Sequence, residues 1–185
     1  MARRVGILAI QGDVEAHASA LARIGAVAVP VLREKHLADL DALILPGGES
    51  TTIAKGIDRL ALREPLRRFA ESGRMLLGTC AGAILLSRES RQHPGPSLGL
   101  MDVTALRNDY GTQVDSFAAP SDADSQLRDL RCVFIRAPRL VEPGPDVEVL
   151  VRVDGEPVLI REGNCLACTF HPELTQDCRV HEMLL

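Results

Sequence analysis

The first half of the chain alternates short apolar runs with segments whose apolar residues recur at helical spacing. Four runs are apolar throughout and predict strands: residues 4–10, 26–32, 42–45 and 75–78. Residues 14–24 and 61–72 carry apolar side chains three or four positions apart, which predicts helices. Because wholly apolar strands must be covered on both faces, this alternation predicts an α/β fold with a mostly parallel central sheet between helical layers.

The second half of the chain has shorter strand candidates and more turn residues. The strand candidates are residues 103–106, 112–117, 132–135, 147–153, 156–161 and 164–170. Asp154-Gly155 separates two of them and is the strongest short-range hairpin signal in the chain. A polar loop is predicted over residues 119–129 and a closing helix over residues 177–185. We expect these strands to add antiparallel pairs to the central sheet, giving a three-layer sandwich in a single domain of residues 1–185.

Length, charge and cysteine content limit the possible functions. A chain of 185 residues has the size of one domain. The formal net charge is -4 and the basic residues are scattered, so neither nucleic acid nor a membrane surface is predicted as a partner. The first apolar run is too short for a signal peptide and no run approaches the ~20 residues of a membrane span, so we expect a cytoplasmic protein. Five cysteines, an odd number, fit reduced thiols.

The strongest candidate for chemistry is the sequence Gly78-Thr79-Cys80-Ala81-Gly82. A predicted strand ends there and a helix follows, with small residues on both sides of Cys80, as a nucleophile elbow requires. Such a turn lifts the central side chain above the sheet. The backbone N–H of Ala81 then faces any negative charge that develops beside the sulfur. Cys80 is therefore the candidate nucleophile.

A candidate base and a second oxyanion donor follow other predicted strands. His171 comes directly after residues 164–170, and Glu173 stands two residues on, where its carboxylate can orient the ring and stabilise the imidazolium. The pair Gly47-Gly48 ends another strand and offers backbone N–H groups. Each residue alone has an ordinary explanation, since a buried cysteine is usually a small core residue. Because ligands of parallel sheets bind beyond the carboxyl ends of the strands, the three together favour nucleophilic catalysis.

A metal site is the weaker interpretation of the cysteines. Cys165 and Cys168 form a C-x-x-C pair, which is a zinc half-site or redox motif. Residues three apart on a strand point to opposite faces, so the two thiols should not chelate together. No metal is predicted. Cys132 and Cys178 are interpreted as core or surface thiols, and the remaining histidines as solvated or capping residues: His36, His93 and His181.

From Val5 to the C-terminus the chain resembles the glutaminase subunits of pyridoxal 5'-phosphate synthase, a family of triad-type (class I) glutamine amidotransferases. Two segments are typical of the wider class, namely residues 78–82 and 170–173. Others are typical of this family: residues 11–17, 46–52, 107–108, 111, 113–117, 134–138 and 173–175.

The resemblance implies hydrolysis of L-glutamine to L-glutamate and ammonia, with no cofactor. It implies Cys80 as nucleophile, His171 as acid and base, and Glu173 as the group that orients His171. Gly48 and Ala81 would form the oxyanion hole. The glutamine-binding residues that it implies are Gly48, Glu49, Ser50, Arg107, Ile135 and Arg136.

The resemblance also implies a partner. Ammonia would pass through a tunnel to a synthase subunit with a (β/α)8 barrel fold in a hetero-oligomeric complex, because ammonia released into neutral water becomes mostly ammonium. The implied partner contacts are Gly12, Asp13, Glu15 and His17. Two departures leave partner contact and the loop near Arg107 open: Asp109-Tyr110-Gly111-Thr112 stands where the family usually has Ala-Phe-Gly-Arg, and Ala118 replaces a usual acidic residue.

Two alternatives remain at this stage. A glutaminase subunit that serves another acceptor, such as that of the histidine pathway, would share the triad but not residues 12–17 or 107–117. A non-catalytic binding subunit would keep the fold without needing Cys80, His171 and Glu173.

Overall fold

The computed structural model describes residues 2–91, 97–107 and 116–185 of the chain. In this part of the chain the strands are β1 (Arg4–Leu8), β2 (Val27–Val31), β3 (Ala42–Leu45), β4 (Met75–Thr79), β5 (Ser87–Arg91), β6 (Met101–Leu106), β7 (Ser116–Pro120), β8 (Arg131–Ile135), β9 (Arg139–Val141), β10 (Glu148–Val153), β11 (Glu156–Glu162) and β12 (Cys165–Cys168). The α-helices are α1 (Val14–Arg23), α2 (Ser50–Arg59), α3 (Arg63–Glu71), α4 (Ala81–Leu86) and α5 (Arg179–Glu182), and Glu34–Leu37 and Pro172–Leu174 form 3-10 turns.

A seven-stranded central sheet has the order β10-β11-β12-β4-β3-β1-β2. The neighbours from β12 to β2 pair in parallel, and β11 pairs antiparallel with both β12 and β10. The predicted α/β fold with a mostly parallel sheet and added antiparallel strands is therefore confirmed. The predicted hairpin is also present: Asp154 and Gly155 both have positive φ, 51° and 79°, as a two-residue turn of the right twist requires.

The core lies in two layers, one on each face of this sheet. Successive residues of β3 alternate between them, because side chains of a strand point to opposite faces: Leu43 and Leu45 pack with helices α2, α3 and α4, and Ile44 packs on the other side with α1. Cys165 and Cys168 likewise lie in different layers, so the prediction that their side chains point to opposite faces of the strand is confirmed. Among the described residues no cluster of His, Cys, Asp and Glu is able to hold a metal ion.

Part of the second-half prediction is wrong. The candidate strands at residues 103–106 and 132–135 exist, but they do not join the central sheet: β5, β6 and β9 form one small sheet, and β7 and β8 form another. Phe134 on β8 explains the second placement, because it stacks on Phe117 of β7 and meets the edge of Phe170, covering the central sheet instead of extending it. Residues 112–115 of another candidate strand lie outside the described residues.

Three elements were not predicted, and one was predicted too long. Helix α2 and strands β5 and β9 have no counterpart in the sequence interpretation. The closing helix predicted over residues 177–185 is only the single turn α5 in the structure. In the described parts of the chain, no helix combines the length and apolar character that crossing a membrane would demand.

Candidate active site

The turn from β4 into α4 places Cys80 in a strained conformation. Its φ is 49° and its ψ is -104°, a region that residues with a Cβ rarely adopt. A Cβ on Gly82 would overlap the backbone carbonyl of Leu45, and a Cβ on Gly78 would lie 2.5 Å from the carbonyl carbon of Gly82. The strand, the turn and the helix therefore approach one another at a distance that only glycine permits, which is the reason for the glycine spacing around the cysteine.

His171 and Glu173 form a buried, directly bonded pair just beyond β12. The backbone N–H of His171 donates to the carbonyl of Val133 at 2.8 Å, which fixes the residue at the end of the strand. Its Nδ1 lies 2.7 Å from Oε1 of Glu173, whose side chain has no exposed surface. Burial alone would raise the pKa of Glu173, but the hydrogen bond from His171 and the neighbouring imidazoles hold it below its usual value.

The Cys80 thiol and the His171 imidazole line the same cavity, and Cys80 is one of the groups that raise the pKa of His171. Burial lowers the pKa of His171, but hydrogen bonding to Cys80 and to Glu173, together with their charges, raises it to about 10. Because Nδ1 is bound to Glu173, the ring nitrogen that faces the sulfur is Nε2. Cys80, only 7% exposed, also has the carbonyl oxygen of Ile135 3.9 Å from its Sγ. The structure thus brings the three predicted triad residues into one row.

The loop of Gly47 and Gly48 lies against this row. A Cβ on Gly47 would come within 2.6 Å of Cε1 of His171 and 3.4 Å of Cβ of Cys80. The N–H of Gly47 donates to Oγ1 of Thr79 at 3.1 Å, which ties the loop to the end of β4. Gly48 has a φ of 146°, which favours glycine. A loop of this kind can present backbone N–H groups to the space above the sulfur.

A cavity of about 370 Å³ opens beside Cys80 and His171. All six residues that the family resemblance implied for glutamine binding line it, and so does Ala81. Two further lining residues, Gln11 and Ile84, were not predicted. Gln11 follows β1 at the same edge of the sheet, and its Oε1 accepts the N–H of Glu49 at 3.1 Å, so its position after a strand was the available signal.

The cavity wall carries two opposite charges in contact. Nη2 of Arg107 lies 3.1 Å from Oε1 of Glu49, and Nη1 lies 3.2 Å from Oγ1 of Thr51. The Glu49 carboxylate also caps helix α2, accepting from the N–H groups of Thr51 and Thr52. The hydrogen bond from the Thr52 side chain and those from the helix N–H groups lower the pKa of Glu49 to about 2. The Glu49 carboxylate is therefore ionised at any ordinary pH.

The four predicted partner-contact residues separate into two groups. Gly12, Asp13 and Glu15 are exposed at the start of α1, where a partner is able to reach them. The prediction that His17 is a surface contact is wrong, because its side chain has no exposed area. It faces inward because it is placed one turn along the helix, on the side that packs against α5 and the turn Pro172–Leu174.

The interpretation of the other histidines needs one correction. His181 is fully buried, with Nε2 lying 3.0 Å from Nδ1 of His17, so it is neither solvated nor a helix cap. His36 is half-buried, and its Nδ1 accepts the N–H of Leu32 at 3.3 Å. His93 and residues 109–112 lie outside the described residues, and Ala118 is exposed on β7.

Comparison with known proteins fits this geometry. The model of the SNO glutamine amidotransferase family matches residues 7–185. The chain belongs to this family. It is similar to the pyridoxal 5'-phosphate synthase subunit PdxT of Shouchella clausii (strain KSM-K16), with 46% identity covering 98% of this chain and 93% of that protein. It is also similar to the subunit of the same name from Thermotoga maritima, with 44% identity covering 98% of this chain and 97% of that one.

Solved structures agree with this family assignment. A crystal structure described as a glutamine amidotransferase superposes with a TM-score of 0.92 at 45% identity, covering 98% of this chain and 96% of the other. The structure of PurLQS from Thermotoga maritima superposes with a TM-score of 0.68 at 18% identity, covering 100% and 98%, and shows the fold alone.

Proposed function

We propose that this chain is the glutaminase subunit of a pyridoxal 5'-phosphate synthase and hydrolyses L-glutamine to L-glutamate and ammonia. The observation that carries the proposal is that the Cys80 thiol and the His171 imidazole line one cavity, with the buried Glu173 carboxylate bonded to the imidazole behind them. The names of the full-length relatives supply the synthase to which the activity belongs. We also propose that the whole chain acts as one glutaminase domain.

The reaction divides into two steps. In the first step Nε2 of His171 takes the proton of the Cys80 thiol, the sulfur attacks the side-chain amide carbon, a C–S bond forms, and the carbonyl electron pair moves onto oxygen. His171 then gives its Nε2 proton to the amide nitrogen, so the C–N bond breaks and ammonia leaves a thioester on Cys80. In the second step His171 takes a proton from water, the resulting hydroxide attacks the thioester, and the C–S bond breaks to release L-glutamate as His171 returns the proton to the sulfur. Glu173 stabilises the imidazolium in both steps.

The developing oxyanion needs hydrogen-bond donors, and the backbone N–H groups of Gly48 and Ala81 are the proposed ones. Ala81 follows the nucleophile directly, and Gly48 lines the same cavity. Losing one such donor typically lowers turnover by about 10²–10³-fold.

The two charges of the cavity wall suit the α-amino and α-carboxylate groups of glutamine. We propose that Arg107 binds the carboxylate and that Glu49 faces the ammonium, because a guanidinium recognises a carboxylate with two parallel hydrogen bonds. Ser50, Ile135 and Arg136 line the remaining wall.

For the partner, we propose a synthase subunit with a (β/α)8 barrel that receives the ammonia through a closed tunnel. The exposed start of helix α1, with Gly12, Asp13 and Glu15, is the proposed contact on this chain. A closed route is chemically necessary because only unprotonated ammonia is a nucleophile.

The decisive experiment measures glutamate release by this chain with and without a pyridoxal 5'-phosphate synthase barrel subunit. We expect release in the complex and its near-complete loss in Cys80→Ala, with glutamine binding retained. Transfer of ammonia to an imidazole-forming synthase but not to the barrel subunit would favour the histidine-pathway alternative. Unchanged activity in Cys80→Ala would eliminate the mechanism, and no hydrolysis in any complex would favour a binding subunit.

A further inference from the structure

A buried histidine lies directly behind the triad. His17 of helix α1 has Nε2 3.6 Å from Oε2 of Glu173 and 3.3 Å from Oγ1 of Thr79, while its Nδ1 lies 3.0 Å from Nε2 of His181. His17 and Glu173 both have fully buried side chains. The reaction steps above do not use this imidazole.

The contact matters because only one oxygen of the Glu173 carboxylate accepts a hydrogen bond. Oε1 accepts from His171, whereas Oε2 is buried and has no hydrogen-bond partner among the described residues. A buried carboxylate oxygen without a nearby donor is costly, and it also leaves the carboxylate free to rotate away from the imidazole it must hold. The ring of His17 is the polar group on α1 that faces this oxygen.

The proton positions of the two histidines follow from their partners. An ionised carboxylate only accepts hydrogen bonds, so Nε2 of His17 must carry a proton to face Glu173 favourably. Burial lowers the pKa of His17, in spite of the opposing charges of Glu173 and Asp13, and the nearby His171 lowers it further. Neutral His17 therefore has a bare Nδ1, which accepts the Nε2–H of His181. The reverse arrangement would point a lone pair at the carboxylate and would leave a buried N–H on Nδ1 of His181 without an acceptor.

We propose that His17 is a positioning residue of the triad, whose single Nε2–H holds both the second oxygen of Glu173 and the hydroxyl of Thr79. The inference rests on the proposed glutaminase function. Thr79 in turn accepts the N–H of Gly47 at 3.1 Å, so one imidazole fixes the carboxylate of the triad and the root of the glycine loop together. His181 orients His17 from behind.

The test uses two polar variants that differ in where they place an amide. In His17→Gln the side-chain amide reaches the position of Nε2 and can still donate to Glu173. In His17→Asn the amide reaches only the position of Nδ1, so the contact with His181 survives and the contact with Glu173 is lost. His36→Asn, at a ring that accepts the N–H of Leu32 away from the triad, is the control. The readouts are kcat and KM for glutamine in the complex with the synthase subunit, and the titration midpoint of His171 followed by ¹⁵N NMR of the free chain.

We expect His17→Gln to keep kcat within about 3-fold and His17→Asn to lower it by about 10–100-fold, with KM changed less than about 2-fold in both variants. The range of about 10–100-fold is the one seen when the partners that orient metal-bound histidines are removed. The midpoint of His171 should fall in His17→Asn and stay near that of the wild type in His17→Gln. Equal kcat values and equal midpoints in the two variants would overturn the proposal, and so would a loss of kcat in both that tracks a loss of thermal stability. If the wild type shows no glutaminase activity, the proposed function fails, and the His171 midpoints alone decide whether His17 positions Glu173.

Discussion

Nδ1 of His171 lies 2.7 Å from Oε1 of Glu173, and the carboxylate that makes this bond is shielded from solvent. A fixed negative charge at this distance does two things: it selects the ring orientation that points Nε2 at Cys80, and it stabilises the imidazolium. It also accounts, together with Cys80, for the raised pKa of His171.

Replacing the charge without changing the shape tests this relationship. Glu173→Gln should lower kcat for glutamine hydrolysis by about 10²-fold or more, because general acid–base catalysis contributes about 10²–10⁴-fold and depends on the protonated ring. The titration midpoint of His171 should fall from about 10. The exposed Glu64, substituted in the same way, should behave as wild type. Retention of full kcat by Glu173→Gln would mean that the carboxylate only fills space.

The glycines of the elbow should tolerate alanine very differently from the turn glycines. A Cβ on Gly82 would overlap the carbonyl of Leu45, whereas at Gly163, with a φ of 56°, a Cβ meets nothing within 4 Å. Gly163→Ala should cost about 1–2 kcal/mol of unfolding free energy, the cost of a left-handed conformation. Gly82→Ala should cost about 3 kcal/mol or more, since backbone cannot move aside as a flexible side chain can. Urea denaturation of both variants measures the difference, and equal losses would contradict the close approach.

Features of the site that depend on local sterics and strand order could be predicted from the sequence. The glycine spacing around Cys80 reflects contacts within a single turn, and Gly47 and His171 each end a strand of a parallel sheet, so their meeting follows from topology. Helix α2 could also have been predicted from the sequence, because Ile53, Ala54 and Ile57 have helical spacing and Glu49 caps the first turn.

Features of the site that depend on contacts between distant segments could not be predicted from the sequence. His17 and His181 are 164 positions apart, and nothing local distinguishes a helix face that meets a carboxylate and a second imidazole from one that meets solvent. The same holds for β8, whose place in a two-stranded sheet is decided by the stacking of Phe134 against Phe117. A short apolar strand is equally compatible with several partners, and only tertiary packing selects one.

The buried histidine pair should make the protein less stable in mild acid. Burial, with a smaller contribution from the neighbouring His17, lowers the pKa of His181 from its usual 6.5 to about 4. The unfolded chain therefore takes up a proton first, so stability is complete above pH 6.5 and is lost as the pH falls toward 4. For His181 alone the loss between pH 7 and pH 5 is about 2 kcal/mol.

Urea denaturation at these two pH values checks the effect. His181→Gln cannot protonate, so its unfolding free energy should change less between pH 7 and pH 5 than that of the wild type. His36→Gln should keep the wild-type difference, because that ring is only half-buried and lies away from the histidine pair. An identical pH dependence in wild type and His181→Gln would show that protonation of this ring does not limit acid stability.

Arg107 should govern the affinity for glutamine more than the rate of its hydrolysis. Its guanidinium contacts Glu49 and Thr51 at the cavity wall, and the proposed reaction steps do not use it. Losing a hydrogen bond to a charged group costs about 1.5–3 kcal/mol, so Arg107→Ala should raise KM by about 10–100-fold while kcat changes less than about 3-fold. Arg107→Lys should also raise KM, since an ammonium cannot form the two parallel bonds of a guanidinium.

The exposed Arg59→Ala is the control. Because the pKa of Glu49 is about 2, the effect of Arg107→Ala on KM should be the same from pH 6 to pH 8, and a fall in kcat at unchanged KM would instead assign Arg107 to the chemical step.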